Sequence, residues 1–285
     1  MQILDLHLGR PRHRGSLTLF PIWNGRAVAT RGYVLADGVV QVAEREGAAA
    51  VEQLVVTNPA PRPALVLEGD LLEGGQQDRV ANRSILVPAG RAEVPEVSCV
   101  EQGRWHGGRS QQRTGRRAPL EIRAASRHSQ GEVWRRVEGY GQRYGSDATG
   151  SLRHPAERAR HDAVSLVAGL EPLPGQCGLL VGLSGQPLLL EALDSPRTFR
   201  HLWSPLLKSV ALDALQATSD EPMPGRRARR FVERLGMAPL ALNGAAGAGR
   251  SLTARTPYVD LRGLVWNDRA VQVAALNPRH QLVGA

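Results

Sequence analysis

LEGDLLEGGQQDRVANRSILVPAGRAEVPEVSCVEQGRW, residues 67–105, places acidic residues, glutamines, paired glycines, a cysteine and an Arg-Trp pair around short apolar runs. The runs are rich in Val, Ile and Leu, and Gly, Pro and Asn separate them, which is typical of β-strands joined by turns. Residues 1–105 are therefore predicted to be rich in strands. The predicted strands are SLTLFPIW (16–23), VEQLVVTN (51–58), ALVLEGD (64–70), RSILVPAG (83–90) and VPEVSCVE (94–101).

Helical spacing dominates further along the chain. Ser129 and Glu132 have the S-x-x-E spacing of a capping box, ahead of apolar residues at helical intervals. A second helix is predicted from about Pro155 to Val167, and the clearest one follows Ser195, with an apolar stripe along one face. Two hairpins are also predicted, CGLLVGLSGQPLLLEAL (177–193) and YVDLRGLVWNDRAVQVAALNP (258–278), the second turning at Asn267-Asp268.

This order of elements predicts an α+β fold. We expect an antiparallel β-sandwich or barrel-like sheet in the N-terminal half, packed with helices from the C-terminal half. The whole chain, residues 1–285, is expected to form a single domain with a β-rich part (1–105) and a mixed helical and hairpin part (128–285). Three other predictions are a weak helix near Leu35 to Glu46, an exposed basic loop over 104–127, and a flexible loop, NGAAGAGR (243–250).

Composition narrows the class of protein. The formal net charge is +9, and Lys208 is the one lysine among 36 basic residues. A positive charge favours anionic partners, although a bias toward arginine with abundant Ala and Gly often reflects genome composition. Aromatic residues are few, so Trp134, Trp203 and Phe199 are expected to be core anchors. No signal peptide or apolar run of transmembrane length is found, so we expect a soluble cytoplasmic protein with no membrane partner.

Glu68 and Asp70 are the candidate catalytic residues. If residues 64–70 form a strand, positions i and i+2 share a face, and the two carboxylates lie roughly 6–7 Å apart on it. Such a pair can bind a hydroxylated substrate or a divalent cation such as Mg²⁺, or divide into an acid and a base. The alternative is a solvated strand edge in which Gly69 marks a bulge.

The residues that follow are candidate ligand-binding groups. Glu73 precedes a glycine pair that lets the backbone approach a ligand closely. The Gln77 amide can both donate and accept hydrogen bonds, and Arg79 offers a guanidinium that suits a carboxylate or a phosphate. Alternatively, Arg79 forms a structural ion pair with one of the nearby carboxylates.

Glu101, Arg104 and Trp105 complete the candidate site. An arginine and a tryptophan side by side can clamp a flat anionic ligand such as a nucleotide, or Trp105 can cover the core while Arg104 pairs with Glu101. Cys99 is interpreted as a small core residue, because a nearby carboxylate raises a thiol pKa and does not activate the thiol. Cys99 and Cys177 lack the spacing of a zinc site, and the histidines predict no metal site either.

Several of these runs resemble one bacterial family, the ADP-ribosylglycohydrolase and rhodanese-phosphatase associated protein domain. The resemblance covers most of the chain, and its central block is specific. The runs that carry it are E-G-D-x-L-E-G-G-x-Q-x-R (68–79), SILVPAG (84–90), SCVEQGRW (98–105), LFPIW (19–23) and LDSPRTFRHLWSPLLKSVALDAL (193–215).

The resemblance implies a link to metabolites derived from NAD, such as ADP-ribose, and implies no particular activity. The family's central run often reads G-A-K-Q-N-R. Gly74, Gln77 and Arg79 match that run, whereas Gln76 and Asp78 stand where the family often has Lys and Asn.

Three functions follow from these features. The leading hypothesis is a protein that binds or processes an NAD-derived metabolite, a small anionic ADP-ribose-like nucleotide, and any catalysis would be carboxylate acid–base hydrolysis. The second is a non-enzymatic scaffold or sensor module whose protein partner contacts the basic loop. The third, nucleic-acid binding by the arginines of that loop, ranks last because no aromatic residues are interleaved with them and no RNA-binding signature is found.

Overall fold

The computed structural model describes residues 4–45, 54–104, 108 and 110–284. Contacts between Cα atoms divide the chain into two compact units. The terminal unit is made of Met1–Arg31 and Val164–Ala285, and the central unit is made of Gly32–Ala163. The expectation of a single domain stays a prediction.

Strands make up 36% and helices 25% of the structure, and most of the sheets are antiparallel, which confirms the predicted α+β class. In chain order the strands are β1 (Leu6–Leu8), β2 (Arg12–Arg14), β3 (Leu17–Asn24), β4 (Val34–Leu35), β5 (Gln41–Glu44), β6 (Leu54–Thr57), β7 (Ala64–Val66), β8 (Asp70–Gly74), β9 (Arg79–Ala81), β10 (Ile85–Val87), β11 (Ala92–Glu93), β12 (Val97–Cys99), β13 (Ser110–Arg117), β14 (Gly178–Leu183), β15 (Gln186–Leu193), β16 (Ala241–Ala246), β17 (Gly249–Arg255), β18 (Asp260–Trp266) and β19 (Arg269–Leu276). The helices are α1 (Leu120–Ser126), α2 (Gln130–Tyr144), α3 (Arg153–Arg158), α4 (Arg160–Leu166), α5 (Pro196–Ala214) and α6 (Gly225–Met237).

The terminal unit contains a nine-stranded antiparallel sheet in the order β1-β3-β14-β15-β19-β18-β17-β16, with β2 also paired to β3. Both predicted hairpins are confirmed in it. β14 and β15 turn at Ser184 and Gly185, and β18 and β19 turn at Asn267 and Asp268. All four turn residues have positive φ, as the tight turns that match the twist of paired strands require.

Helices α5 and α6 contribute apolar side chains to the interior of the terminal unit. α5 begins as predicted, with Ser195 at the N-cap position and Pro196 at the first helical position. Its Phe199 and Trp203 are buried, with ring centroids 5.6 Å apart in an edge-to-face arrangement. Phe231 of α6 packs into the core formed by the large sheet.

The central unit contains two smaller sheets. One has seven strands in the order β11-β6-β5-β13-β8-β9-β12, and the other has three strands in the order β10-β7-β4, with β4 parallel to β7. β13 lies antiparallel to β8, so that Gln112 is opposite Glu73 and Arg117 is opposite Asp70. This pairing brings a basic strand beside the acidic one.

Helix α2 covers the core of the central unit and begins as its sequence predicts. The Ser129 hydroxyl accepts a hydrogen bond of 3.2 Å from the Glu132 N–H, and Gly145 follows the last residue. Val133, Val137 and other apolar residues of its inner face pack with α1 and β9. The helix thus fixes the position of the chain that follows it.

The structure corrects two features of the expected architecture. The described residues form no closed barrel, and the division into an N-terminal sheet and C-terminal helices is not confirmed, since the nine-stranded sheet draws strands from both ends of the chain. The helix predicted near Leu35 to Glu46 is also wrong. Its described part forms β4 and β5, separated by a turn in which Gly38 has φ of +66°.

Two predicted loops contain regular structure. The basic loop over 104–127 contains β13 and α1, because its polar side chains find partners in neighbouring strands. The glycine-rich run 243–250 belongs to the hairpin of β16 and β17, with Gly247 at φ of +64° in the turn. Their polar and glycine-rich composition concealed both segments, because β16 is largely exposed and only two of the eight β13 residues are buried.

Gly178→Ala is expected to destabilise the terminal unit by about 1–3 kcal/mol. A Cβ at Gly178 would lie 2.6 Å from the backbone oxygen of Glu191, which cannot move without distorting β15. The control is Gly244→Ala, where a Cβ meets nothing within 4 Å. Urea denaturation should show a lower midpoint for the first variant alone, and equal midpoints would contradict the tight pairing of β14 with β15.

Candidate functional site

The central motif folds as a turn followed by a strand, and not as one continuous strand. Glu68 and Gly69 form a turn before β8 begins at Asp70. The Asp70 carboxylate closes the turn by accepting a hydrogen bond of 2.8 Å from the Leu67 N–H. Gly69 has φ of +86°, and a Cβ there would lie 2.6 Å from the Arg123 side chain. The predicted common strand face of Glu68 and Asp70 is therefore wrong.

Both candidate catalytic carboxylates are buried in ion pairs with arginines. Asp70 Oδ2 accepts from Arg113 Nε at 2.9 Å and from its Nη2 at 2.7 Å. Glu68 accepts from Arg127 at 2.8–3.0 Å through both oxygens. Contacts that use two nitrogens of one guanidinium are the strong form of this pairing. A ligand would have to displace an arginine to reach either carboxylate, and their catalytic role stays a prediction.

The positive charges of this network come from β13 and α1. Burial, and after it the charge of Arg117, lowers the pKa of the Arg113 guanidinium to about 10. Arg117 itself donates to the backbone oxygen of Glu68 at 2.5 Å. Arg116, which is more exposed, pairs with the buried Glu73. The arginines that the sequence placed on an exposed loop thus neutralise carboxylates in the interior.

The turn between β8 and β9 is held by Asp78 and Arg104. Gly74 and Gly75 lie in this turn with positive φ, and Asp78 Oδ1 accepts from the Gly74 N–H at 2.8 Å. Arg104 donates to the backbone oxygens of Gly75 at 2.8 Å and Gly74 at 3.3 Å. It also pairs with Glu101 at 2.6 Å and with Asp78 at 3.2 Å. All three guanidinium nitrogens of Arg104 are therefore engaged.

Asp78 and Glu101 share Arg104 but differ in proton affinity. Burial raises the pKa of Asp78, and the charges of Glu101 and Glu73 add to the rise. Burial also acts to raise the pKa of Glu101, but hydrogen bonds from Arg104, the Asp78 N–H and Thr149 outweigh it and lower that pKa. Neighbouring carboxylates with opposite pKa shifts are the arrangement that an acid and a base require.

The remaining predicted ligand-binding residues divide between the turn and the core. Gln77 is completely buried beside the turn, and its Nε2 donates to the backbone oxygen of Gln102 at 3.4 Å. Arg79 is also buried and lies opposite Cys99 in the pairing of β9 with β12. The structure thus brings Glu73, Gln77, Glu101 and Arg104 together around Asp78. Trp105 lies outside the described residues.

Cys99 is a buried strand residue, in agreement with its interpretation as part of the core. Its backbone N–H and backbone oxygen each form a hydrogen bond of 2.8 Å with the Gln130 amide. Burial raises the pKa of its thiol, which outweighs the lowering effects of a hydrogen bond that the sulfur accepts from the Glu101 N–H and of the charge of Arg79. The environment therefore disfavours the thiolate that a nucleophile needs.

A cleft beside this network was not predicted from the sequence. Its volume is about 360 Å³, and its lining combines an indole, two glycines, two amides, two hydroxyls, a carboxylate and an aliphatic side chain. Trp134, expected to be a core anchor, is only partly buried and lines this cleft. The lining residues are Gln102, Trp134, Val137, Glu138, Gly141, Gln142, Ser146, Gly150 and Ser151.

Two paired segments connect the cleft with the charged turn. Glu101 forms an isolated antiparallel bridge with Ser151, and the Gly103 N–H donates to the backbone oxygen of Thr149 at 2.7 Å. Arg153 lies two residues beyond Ser151, and its Nε is 3.4 Å from Glu73 and 3.6 Å from Asp78. The Arg153 side chain is 52% exposed. A half-exposed arginine thus lies beside the acidic turn, two residues along the chain from Ser151 of the cleft lining.

In the part of the chain that the structure describes, no group of three or more His, Cys, Asp or Glu side chains is arranged to hold a metal ion. None of the helices in that part is both long enough and apolar enough to cross a membrane.

Comparison with known proteins identifies one family. Residues 5–276 match the family model described as the ARG and Rhodanese-Phosphatase-superfamily-associated Protein domain. Neither the curated proteins nor the solved structures contain a significant match. The match therefore establishes the family and assigns no residue a role.

Arg113→Met should destabilise the protein by about 3–5 kcal/mol, because it leaves the buried Asp70 carboxylate without its closest positive charge. The double variant Asp70→Leu with Arg113→Met should recover part of this loss, since the Asp70 charge no longer stays buried without Arg113, although Arg117 loses the Asp70 charge 4.0 Å away. Chemical denaturation of the two single variants and the double variant measures the coupling. Simply additive losses would show that the pair does not act as a unit.

Asp78→Asn and Glu101→Gln should change the pH dependence of stability in opposite directions. The raised pKa of Asp78 stabilises the fold below the unfolded-state pKa of about 3.9, and this contribution is lost as the pH rises through the folded-state pKa. The lowered pKa of Glu101 stabilises the fold above about pH 4.3, and this contribution is lost as the pH falls through the folded-state pKa.

Relative to the wild type, Asp78→Asn should therefore gain stability as the pH rises above about 3.9, and Glu101→Gln should gain stability as the pH falls below about 4.3. Urea denaturation at a series of pH values tests both signs. Parallel pH profiles for the two variants would contradict the opposite shifts.

Proposed function

The chain belongs to the family of the ARG and Rhodanese-Phosphatase-superfamily-associated Protein domain, and we propose that it binds an NAD-derived phosphorylated nucleotide such as ADP-ribose. The family name associates these proteins with ADP-ribosylglycohydrolase, which motivates this class of ligand. The observation that carries the proposal is the cleft at Trp134, with the half-exposed Arg153 two residues along the chain from its lining residue Ser151. We expect the protein to bind this ligand in the cytoplasm.

The chemistry of the cleft suits a nucleoside or a ribose. The Trp134 indole offers an aromatic surface for a base or for the apolar face of a sugar. The Gln102 and Gln142 amides and the Glu138 carboxylate can bind ribose hydroxyls. Ligand pockets usually measure about 300–1,000 Å³, so a cleft of about 360 Å³ accommodates a nucleoside-sized part of the ligand.

Arg153 is the proposed phosphate-binding residue. Its contacts with Glu73 and Asp78 are made through Nε, and half of the side chain is exposed. Arginine forks bind phosphate oxygens in pairs of hydrogen bonds, which fits this position. Arg104, predicted to bind the ligand, instead positions the turn, because each of its nitrogens contacts Glu101, Asp78 or a backbone oxygen.

The predicted site residues take supporting roles in this proposal. Glu68 and Asp70 orient the arginines of α1 and β13, and Glu73 and Glu101 orient Arg153 and Arg104. If the bound nucleotide is hydrolysed, the opposite pKa shifts favour Asp78 and Glu101 as the acid–base pair. Magnesium, if required, would be recruited together with the ligand phosphates, as is usual for this ion.

The burial of the basic residues argues against the nucleic-acid alternative. Of the arginines that make the run basic, Arg113, Arg117, Arg123 and Arg127 have buried side chains, Arg116 is partly exposed, and Arg109 lies outside the described residues. A buried guanidinium cannot contact a phosphate backbone. The scaffold alternative, with a protein partner, becomes the favoured one if no nucleotide binds.

Thermal unfolding with NAD, ADP-ribose, AMP and nicotinamide, each with and without magnesium, tests the proposal. A ligand at a hundred times its Kd should stabilise the protein by about 2.7 kcal/mol. Arg153→Ala and Trp134→Ala should reduce the ligand-induced shift. Arg135→Ala is the control on the same helix as Trp134, since the Arg135 side chain is 69% exposed and does not line the cleft.

The ligand-induced shift, and not the melting temperature itself, is the quantity compared, because Arg153→Ala also removes contacts with Glu73 and Asp78. No shift with any nucleotide would refute the proposed function. A shift that Arg153→Ala and Trp134→Ala leave unchanged would place the ligand elsewhere.

A further inference from the structure

One buried carboxylate of the central unit differs from all the others that the structure describes there. Glu44 is 4% exposed, and no arginine or lysine forms an ion pair with it within the described residues. Each of the other buried carboxylates pairs with at least one arginine. These are Glu68, Asp70, Glu73, Asp78, Glu101, Glu121 and Glu132.

The two oxygens of Glu44 have different surroundings. Oε1 accepts from the Gln76 N–H at 3.1 Å and from Gln111 Nε2 at 3.0 Å. Oε2 is buried, and no group in the described part of the chain donates a hydrogen bond to it. Neutral donors therefore fix the carboxylate in place, and no ion pair with a described residue compensates its charge.

Two amide oxygens of residues that hydrogen bonds connect to Glu44 are also buried and without donors among the described groups. Gln111 Nε2 donates to Glu44 Oε1 and also to the backbone oxygen of Gln77, the latter at 2.9 Å. These two bonds fix the orientation of the amide, and its Oε1 accepts no hydrogen bond from a described group. The Gln77 side chain is completely buried, and its Oε1 likewise has no donor. Buried oxygens without a described donor thus occur on the side chains of Glu44, Gln111 and Gln77, three residues that hydrogen bonds connect.

The Gly74-Gly75 turn packs closely against this group. Gly75 has φ of +54°, and a Cβ there would lie 2.4 Å from Gln111 Nε2 and 2.9 Å from Glu44 Oε1. The turn therefore brings backbone against the carboxylate and the amide. It leaves no room for a side chain that could bring a positive charge from position 75.

A buried charge without a partner is costly, and oxygen atoms without donors are the ligands that hard cations prefer. The group contains one negative charge and neutral amide oxygens, which matches a cation of charge +1. We propose that Glu44, with the side-chain oxygens of Gln111 and Gln77, binds a monovalent cation, potassium or sodium, under the β8–β9 turn. The cation takes the place of the arginine that pairs with each of the other buried carboxylates described in the unit.

Thermal unfolding of the full chain in potassium, sodium or choline chloride at constant ionic strength tests the proposal. Choline, a bulky quaternary ammonium ion with no free coordination position for oxygen ligands, serves as the inert reference. The bound ion at ten times its Kd should raise the unfolding midpoint by about 3–6 °C over choline. Glu44→Gln should abolish this dependence, because it removes the charge and keeps the shape. Glu96→Gln, at an exposed carboxylate of the same unit, should retain it.

A second measurement does not depend on stability. Thallium(I) substitutes for potassium, and its anomalous scattering in crystals should give a peak in contact with the Glu44 carboxylate. Equal midpoints in the three salts, or no thallium peak at Glu44, would overturn the proposal. A response to calcium or magnesium but not to monovalent ions would also overturn it. None of these results depends on nucleotide binding at the cleft.

Discussion

The pairing of buried carboxylates with arginines is the interaction on which the central unit depends. Moving an unpaired carboxylate from water into a protein interior costs several kcal/mol, so each one has to meet a positive charge as the chain folds. Asp70 meets two, since Arg113 contacts it at 2.7 Å and Arg117 Nε lies 4.0 Å away. Both arginines are on β13, and the pairing of β13 with β8 is irregular between them. The need to neutralise Asp70 and the pairing of β13 with β8 therefore both place Arg113 and Arg117 beside Asp70.

The need to pair buried carboxylates with positive charges also explains why the central unit uses arginine and not lysine for these ion pairs. Arg113 and Arg127 each contact one carboxylate through two nitrogens, and Arg104 bridges Glu101, Asp78 and the backbone of the glycine turn. A lysine ammonium is a single point of charge and cannot span such separated acceptors. The abundance of arginine reflects more than genome composition at these positions.

Much of the fold could be predicted from local patterns, because the hairpins and capped helices depend on residues close in sequence. Ser129, Asn267 and Asp268 act within one turn of chain, and their roles were predicted correctly. β13 was missed because its polar side chains are paired with residues some 40 positions away, such as Arg113 with Asp70. A pattern of charges does not reveal whether its partners are solvent or buried carboxylates, and so the segment resembled a loop.

The site was predicted less well, for a related reason. The rule that residues i and i+2 of a strand share a face does not apply to Glu68, because the chain turns at Gly69. From the sequence alone, a single glycine is compatible with either a bulge or a turn. The cleft was missed because its lining comes from residues 102, 134–142 and 146–151, which no motif connects. Asp78 was not singled out, because its raised pKa arises from burial beside Glu101 and Glu73.

Charge pairing within the motif also indicates where a ligand can act. A side chain whose charge the fold has already neutralised contributes little to binding, because a ligand would have to replace its partner. Most charges of the motif are neutralised in this way, and Arg104 has no nitrogen left. Two positions differ. Arg153 contacts Glu73 and Asp78 through Nε and is half exposed, so a ligand can reach it without displacing a buried partner. Glu44 is buried, and no described arginine or lysine pairs with it. An anion at Arg153 and a cation at Glu44 would therefore bind without breaking the ion pairs that hold the motif together.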